Sequence, residues 1–298
     1  MQTLSAARVC FLAAVVVAGT TAGGIPAAGQ SNQSGEQVVP SESLESAKPS
    51  SSGEQIFADL LRHNEIRTAG LREYSAVRTY AVTDVNGKVR AKETVRMDYV
   101  APDKKTFVTI AEEGSSIVRR LVLNRLMESE ASAATGQDRR DSSITPANYT
   151  FRLLGEEDLG PHHCFVVEAV PQRSDKYLFK GKIWIESQEF AVVRIAGHPA
   201  KNLSFWITRA DFVRQFEKIG DFWLPARDET SVDVRLYGTK ILSIEHHIDR
   251  VNGVATTVLA GQHPPAPGLD FGPLAGRPLL VPKQEHRLSL PRSRRPLP

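Results

Sequence analysis

Three short stretches of the chain hold residue types capable of acid–base or metal chemistry. They are His162-His163-Cys164, Glu156-Glu157-Asp158 and Glu245-His246-His247-Ile248-Asp249. Imidazole, thiolate and carboxylate groups serve as zinc ligands and as general acids and bases. Neighbouring side chains of a strand point to opposite faces, however, so His162 and His163 cannot share one ion without a bulge. Loop and strand structure is therefore favoured there over a metal site.

The other two stretches are also better explained by solvation than by chemistry. On a strand, Glu245, His247 and Asp249 share one face, while Leu242, Ile244, His246 and Ile248 share the other. A solvated outer face is favoured over a weak metal site, and the carboxylates of the second stretch fit an exposed turn. The chain has no Gly-x-Ser-x-Gly, no phosphate-binding glycine-rich loop and no zinc-spaced cysteine pair. No catalytic residue, metal or cofactor is predicted.

The elements that position these residues centre on Lys176 to Arg214, which reads as an antiparallel meander. Apolar and polar residues alternate from Tyr177 to Ile185 and again around Ala191, Val193 and Ile195. Alternation with period two is typical of strands with one dry and one wet face. In the third strand one face is predicted to carry Leu203, Phe205 and Ile207 and to point inward. The other face carries Ser204 and Thr208.

The rest of the chain continues this pattern around two helices. Helical spacing predicts a first helix over 54–68, and Asp84-Val85-Asn86-Gly87 predicts a hairpin between two strands. Gly114 to Ala134 has the stripe of an amphipathic helix, followed by a solvated loop at 135–143. Further strands are predicted at Thr106–Glu112, Tyr149–Leu154, Cys164–Val170, Phe222–Ala226, Thr230–Leu236 and Lys240–Ile248. About ten strands with no βαβ alternation predict a mainly β, α+β fold with an antiparallel sheet.

Both ends differ from the folded body in composition. Residues 1–29 follow the plan of a secretory signal peptide, with an apolar run at 9–18 that is short for a membrane span; a retained N-terminal anchor is the alternative. Residues 30–53 read as a disordered linker, and 253–298 as a disordered tail rich in proline and arginine. Cys164 lies in a strand pattern and is predicted to be a buried structural thiol. The basic excess lies in the tail, so no nucleic-acid binding by the fold is predicted.

Large aromatic residues cluster in the second half of the chain. Phe205-Trp206 and Phe222-Trp223 each place a large apolar group on both faces of a strand. Core and edge packing is the favoured explanation, and a ligand-facing apolar surface is the other.

Several of these segments, taken in order, resemble the LolA/LolB lipoprotein-carrier superfamily, which includes MucB/RseB-like domains and outer-membrane lipoprotein-sorting proteins. The resemblance covers 54–252 and rests on a signal peptide followed by short sequences in a fixed order: Leu71-Arg72-Glu73-Tyr74-Ser75-Ala76, Val95-Arg96-Met97-Asp98-Tyr99-Val100-Ala101-Pro102-Asp103, Arg120-Leu121-Val122-Leu123, Tyr149-Thr150-Phe151-Arg152-Leu153-Leu154-Gly155, Gly181-Lys182-Ile183-Trp184-Ile185 and Gly220-Asp221-Phe222-Trp223-Leu224-Pro225. It implies an open, curved antiparallel β half-barrel, lidded by helices, around an apolar cavity for acyl chains.

The resemblance also implies a function and a set of site residues. It implies a monomeric, non-enzymatic periplasmic protein that binds acyl lipid or lipoprotein and sorts or carries it to the outer membrane. The alternative is an envelope-stress sensor or interaction module of the MucB/RseB type with a membrane protein partner. Arg78 is the candidate for the arginine that holds the lid closed. The expected cavity lining is Tyr74, Tyr80, Val95, Met97, Leu121, Leu126, Phe179, Ile183, Phe205 and Ile207.

Overall fold

The computed structural model describes residues 52–132 and 142–256. The first helix, α1, spans Gly53–Gly70 and is capped by Ser52, whose hydroxyl oxygen accepts from Gln55 N at 3.1 Å. The strands are β1 Glu73–Asp84, β2 Val89–Val100, β3 Lys104–Gly114, β4 Tyr149–Leu159, β5 His162–Pro171, β6 Phe179–Glu186, β7 Ala191–Pro199, β8 Ile207–Ile219, β9 Phe222–Val234, β10 Gly238–Val251 and β11 Val254–Ala255.

Between β3 and β4 lies a helical insertion made of three pieces. They are α2 (Ser116–Val118), a π-helical turn (Arg119–Asn124) and α3 (Arg125–Ser132). We refer to the three together as the inserted helix. Ser115 caps its start, since its hydroxyl oxygen accepts from Val118 N at 3.4 Å.

All eleven strands belong to one antiparallel sheet in the order β3-β2-β1-β10-β9-β8-β7-β6-β5-β4, with β11 paired to β10. β3 and β4 are consecutive in the chain but lie at opposite edges, and they do not pair with each other within residues 52–132 and 142–256. The sheet is therefore curved and open rather than closed into a barrel. This confirms the predicted α+β half-barrel fold.

Helix α1 covers the half of the sheet that runs from β4 to β8. Ile56, Phe57 and Leu60 are buried against the inner face of these strands, and the Phe57 ring stacks on Phe151 with centroids 3.6 Å apart. Each such side chain contributes roughly 1.5–3 kcal/mol when it is fully buried. The partners of α1 in this cluster include Tyr149, Val167, Phe179, Ile183, Ile195 and Phe212.

The inserted helix covers the opposite half of the same face. Val122, Leu123, Leu126 and Met127 pack on residues of β1, β2 and β10, namely Tyr80, Val82, Ala91, Val95, Leu242 and Ile244. The sheet is thus covered on one side by two separate helices, each with its own apolar cluster.

One glycine pair allows two strands to approach closely. Gly181 on β6 lies opposite Gly197 on β7, and a Cβ added to Gly181 would lie 2.6 Å from Gly197 Cα. No side chain fits in this space, so the spacing of the two strands requires glycine at both positions.

The structure corrects several predicted boundaries. Residues 203–206 precede β8 and belong to no strand, so the strand predicted there is wrong: Leu203 packs against the core, but Phe205 is exposed. The two strands predicted at 222–226 and 230–236 are one strand, β9, because the polar residues between them continue the pairing with β8. The predicted loop at 135–143 lies mostly outside the described residues, as do the signal peptide, most of the 30–53 linker and nearly all of the tail.

Candidate functional site

A group of buried charged residues lies on the inner face of the sheet between the two apolar clusters. The strand pairing aligns them: Arg214 of β8 is opposite Asp228 of β9, and His246 of β10 is opposite Arg78 of β1. Each occupies an inward position of its strand, where the neighbouring inward residues are apolar. Charges at such positions are rare unless they are paired or hydrogen-bonded.

Arg78 is 1% exposed and connects the sheet to the inserted helix. Its Nη1 donates to both carboxylate oxygens of Glu130 on α3, at 3.1 and 3.0 Å. Glu130 also accepts from Lys105 Nζ of β3 at 2.5 Å. One carboxylate of the inserted helix, which we also call the cover, therefore contacts two cations of the sheet. All three side chains are largely buried.

The electrostatics of this contact favour the charged form of Arg78. Burial lowers the pKa of Arg78, but Glu130, Tyr80 and Tyr74 together outweigh burial and hold that pKa well above its usual value. The Tyr80 hydroxyl, 3.5 Å from Arg78 Nη1, has a raised pKa because the side chain is buried. Arg78 and Tyr80 therefore keep their protons over the whole physiological range.

A second set of contacts surrounds Asp228. Arg214 makes a two-pronged ion pair with its carboxylate, and Arg214 Nη2 lies 3.1 Å from Oδ2. Burial alone would raise the Asp228 pKa, but the Arg214 charge and a hydrogen bond from His246 lower it. Burial and the nearby Arg78 charge lower the pKa of His246 to about 4. His246 is therefore neutral at pH 7, and its Nε2 donates to Asp228 Oδ2 at 3.1 Å.

A cavity of about 40 Å³ lies between the inserted helix and this network. Its wall includes Arg78, Lys105, Leu126, Glu130, Asp228 and His246. Arg78 Nε and His246 Nδ1 are buried and have no hydrogen-bond partner within the described part of the chain. A polar space of this size has room for one or two waters, which would satisfy both atoms.

The predicted lining residues are divided among several clusters rather than gathered around one cavity. Tyr80, Val95 and Leu126 pack together under the inserted helix, and Leu126 also lines the 40 Å³ cavity. Tyr74 and Met97 lie in a neighbouring cluster near the start of β1. Phe179 and Ile183 lie under α1. Leu121 is partly exposed on the inserted helix. Their contact with lipid stays a prediction, since nearly all are covered by the protein's own side chains.

Phe205 and Ile207 lie at the end of the sheet where β8 begins and β9 ends. Phe205 is 72% exposed, whereas Ile207 is buried with Ala210, Val232 and Val234. Both line an open hollow of about 460 Å³ together with Asn202, Ser204, Thr208 and Arg235.

The structure brings the first two predicted chemical stretches together. Across the β4–β5 hairpin, His163 Nδ1 lies 2.6 Å from Asp158 Oδ1 and its Nε2 lies 2.9 Å from Glu156 Oε2. Hydrogen bonds to Asp158 and then to Glu156 raise the pKa of His163. The group is exposed, and Glu157 instead accepts from Trp184 Nε1 at 2.9 Å. This is a solvated ion cluster on the outside of the sheet.

The outcomes for Cys164 and the third stretch follow the sequence pattern. Cys164 is fully buried, and burial raises its pKa to about 11, as expected for a structural thiol. Glu245 and His247 are exposed on the outer face, whereas His246 faces inward.

The sequence indicates Arg78 but not the other charged residues of the buried network. Glu130, Lys105, Asp228 and Arg214 were not singled out, and Glu130 is distant from Arg78 in the chain. A signal existed for Asp228, because it falls at an inward position of the β9 alternation between Leu224 and Thr230. A charged residue in an apolar series indicates a buried partner.

No protein-family model and no curated protein sequence matches this chain. Solved structures match at the level of fold. A domain described as an outer membrane lipoprotein-sorting protein from Vibrio parahaemolyticus is 12% identical with a TM-score of 0.40, covering 65% of this chain and 91% of that one. A LolA superfamily protein from Nitrosomonas europaea is 11% identical with a TM-score of 0.32, covering 64% and 90%. The MucA/MucB complex of Pseudomonas aeruginosa matches at 11% identity and a TM-score of 0.24, covering 64% and 93%.

At these identities and TM-scores the similarities say nothing about the function of this chain. No helix in the described residues is both long and apolar enough to cross a membrane.

Proposed function

We propose that this chain is a non-enzymatic, exported protein that binds acyl lipid, or the acyl chains of a lipoprotein, on the inner face of the sheet beneath the inserted helix. The observation that carries the proposal is the contact of Arg78 with Glu130, which, together with the Lys105–Glu130 contact, joins the inserted helix to the sheet through one buried carboxylate. In this role the protein works in the periplasm and delivers its ligand toward the outer membrane.

The cover is attached in a way that permits opening. It is held by four apolar side chains, Val122, Leu123, Leu126 and Met127, by the Glu130 contacts, and by an ion pair of Arg119 with Glu112 of β3 at 3.0 Å. Its middle is a π-helical turn, an arrangement less stable than α-helix and frequent at functional sites. Opening would expose the apolar residues of β1, β2 and β10 that these side chains cover, which water disfavours.

An acyl chain compensates for this exposure. Four side chains at about 2 kcal/mol each make about 8 kcal/mol, and about ten buried CH₂ groups return the same amount. A ligand with a chain of that length therefore replaces the cover at little net cost. Arg78, which would lose Glu130 on opening, is the gating residue in this scheme.

The proposal is tested by uptake of a fluorescent long-chain fatty acid and by mass spectrometry of lipid that co-purifies with gently extracted protein. We expect bound acyl lipid, and uptake about tenfold faster for Glu130→Gln, because the neutral amide holds the cover less firmly. Glu128→Gln is the matched control, since Glu128 is exposed on the same helix. Protein that carries no lipid and takes up no fatty acid, in wild type and Glu130→Gln alike, would contradict the proposal.

A second candidate function is an interaction module that binds an envelope protein partner, as in the solved MucA/MucB complex. Edge strand β3 favours it: within the described residues β3 pairs only with β2, and Val108 and Ile110 on it are exposed. An extended peptide can add to such an edge. Pull-down from an envelope extract tests this candidate: one specific partner lost on Ile110→Lys, or on removal of 255–298, supports it, and the same captured proteins with every variant count against it.

A further inference from the structure

Exposed apolar side chains gather at one end of the sheet, where two connecting segments lie side by side. Phe205 and Trp206 precede β8, and Leu236 and Tyr237 form the turn between β9 and β10; all four are exposed. Ile207 pairs with Val234, and Arg235 N donates to Trp206 O at 2.9 Å, so the segments are fixed to each other. We call Phe205, Trp206, Arg235, Leu236 and Tyr237 the aromatic rim.

Arg235 gives the aromatic rim a positive charge. Its guanidinium carbon lies 4.4 Å from the centroid of the Phe205 ring, which in turn packs edge-to-face with Trp206 at 5.6 Å. Arg235 is exposed and makes no ion pair with any residue in 52–132 or 142–256. A cation held over an aromatic face, without a carboxylate beside it, is available to an external anion.

Leu236 is presented to solvent at a conformational cost. It is 92% exposed, and its φ of +68° lies in the left-handed region that residues other than glycine, asparagine and aspartate rarely adopt. Asparagine would suit this position better for folding alone. The leucine therefore calls for an explanation outside the packing of the chain itself.

Beside Arg235 lies the open hollow of about 460 Å³, which combines polar and apolar walls. Phe205 and Ile207 form its apolar part, and Asn202 and Thr208 contribute polar side chains. The hydroxyl oxygen of Ser204, also in this wall, is buried with no hydrogen-bond partner among the described residues. A guanidinium and an unpartnered hydroxyl next to apolar rings suit a phosphate group that carries apolar chains.

We propose that the aromatic rim docks on the surface of a bilayer that contains anionic phospholipid. Trp206, Leu236 and Tyr237 enter the interfacial layer, where aromatic rings with a polar edge and apolar side chains are stabilised. Arg235 contacts a lipid phosphate at the hollow, and the negative surface potential of the membrane adds to this attraction. The inference does not depend on acyl-chain uptake under the inserted helix.

Vesicle co-sedimentation of the full chain tests the proposal with vesicles of phosphatidylcholine alone and of phosphatidylcholine with one quarter phosphatidylglycerol. We expect binding to the mixed vesicles and much weaker binding to the neutral ones. Leu236→Asn should weaken binding about tenfold, since it removes the most exposed apolar group while fitting the positive φ. Arg235→Gln should weaken binding to the mixed vesicles about fivefold and binding to the neutral ones less, because only the mixed vesicles have a negative surface potential.

Ile66→Gln is the matched control, because Ile66 is 66% exposed but lies on α1, near the β6–β7 turn at the opposite end of the sheet. The basic tail and the N-terminal segment are present in every variant and contribute equally to all measurements. Equal binding of wild type, Leu236→Asn and Arg235→Gln would overturn the proposal, as would wild-type protein that stays in solution with both vesicle types.

Trp206 supplies a second readout that does not depend on affinity. Lipids brominated near the headgroup should quench tryptophan fluorescence of the wild type, and Trp206→Phe, compared at equal amounts of vesicle-bound protein, should lose most of that quenching. Trp184 is buried, and the Trp223 indole N–H donates to Glu189 at 2.9 Å, at the far end of the sheet. Quenching that persists in Trp206→Phe would show that another surface contacts the lipid.

Discussion

Arg78 lies directly opposite His246 across the β1–β10 pair, so a guanidinium and an imidazole share the inner face of the sheet. The positive charge of Arg78, added to burial, disfavours the imidazolium and lowers the pKa of His246 to about 4. Neutral His246 in turn donates to Asp228, which Arg214 keeps ionised. The protonation state of the whole network follows from this pairing.

The first prediction concerns pH. An unfolded histidine titrates near 6.5, so between about pH 6.5 and 4 the unfolded state binds a proton that the folded state does not. The free energy of unfolding is therefore expected to fall by about 3 kcal/mol as pH decreases through that window because of His246. The contributions of other titrating groups add to this change. Urea unfolding at several pH values measures it, and His246→Gln should remove this contribution.

His247→Gln is the control for the pH experiment, because His247 is the next residue but lies exposed on the outer face. It should keep the wild-type pH dependence. The Asp228 pKa is lowered, so stability due to that carboxylate is lost only at lower pH, below about 4. A His246→Gln protein with the full wild-type slope between pH 6.5 and 4 would refute the assignment.

The second prediction concerns the stability contributed by Arg78. Arg78→Met should lower the free energy of unfolding by about 3 kcal/mol, because Glu130 then keeps a buried charge without its guanidinium partner. Arg96→Met is the comparison, since Arg96 pairs with Asp249 at 3.4 Å on the exposed side of the sheet. That variant should lose less than about 1 kcal/mol. Similar losses for the two variants in urea unfolding would mean that the buried pair has no special role.

The third prediction concerns acyl chain length. Because opening the cover costs about as much as ten buried CH₂ groups return, fatty acids with about 12 to 16 carbons should bind and those with about 8 or fewer should not. Glu130→Gln should move the threshold toward shorter chains. Competition against a fluorescent fatty acid measures the series. Equal affinity for short and long chains would contradict binding beneath the inserted helix.

The fourth prediction uses Cys164 as a reporter of folding. Its pKa of about 11 and its full burial should make it react with a thiol reagent at pH 8 at least about 100-fold more slowly than a peptide thiol. The measurement is made in a Cys10→Ser background, so that Cys164 is the one cysteine of the sequence. In concentrated urea its reaction rate should rise to that of a peptide thiol. Fast labelling of the native protein would mean that the β4–β6 region opens readily.

Local chemistry made much of the fold predictable. The alternation of Tyr74, Ala76, Tyr80 and Val82 fixes which face of β1 is inward, and Arg78 falls on that face by position alone. The Asn86-Gly87 turn works because Gly87 adopts a φ of +79°. These features depend on residues close together in the chain, so the sequence displays them directly.

What the sequence does not display are contacts that depend on how distant elements meet. Leu203, Phe205 and Ile207 have the spacing of one strand face, but hydrogen bonding to β9 begins only at Ile207, and Phe205 is left outside. The π-helical turn interrupts a segment whose apolar stripe reads as regular α-helix. Glu130 has no sequence signal that separates it from Glu128, since only the approach of α3 to β1 makes it a partner of Arg78.

The pairing of β1 with β10 has a consequence for the order of events in biogenesis. Tyr74 pairs with Val251, so β1 gains its second neighbouring strand only when β10, near the end of the described residues, is present. Contacts between such remote positions form late and slow the acquisition of native structure. The sheet can therefore be completed only after β10 has been synthesised.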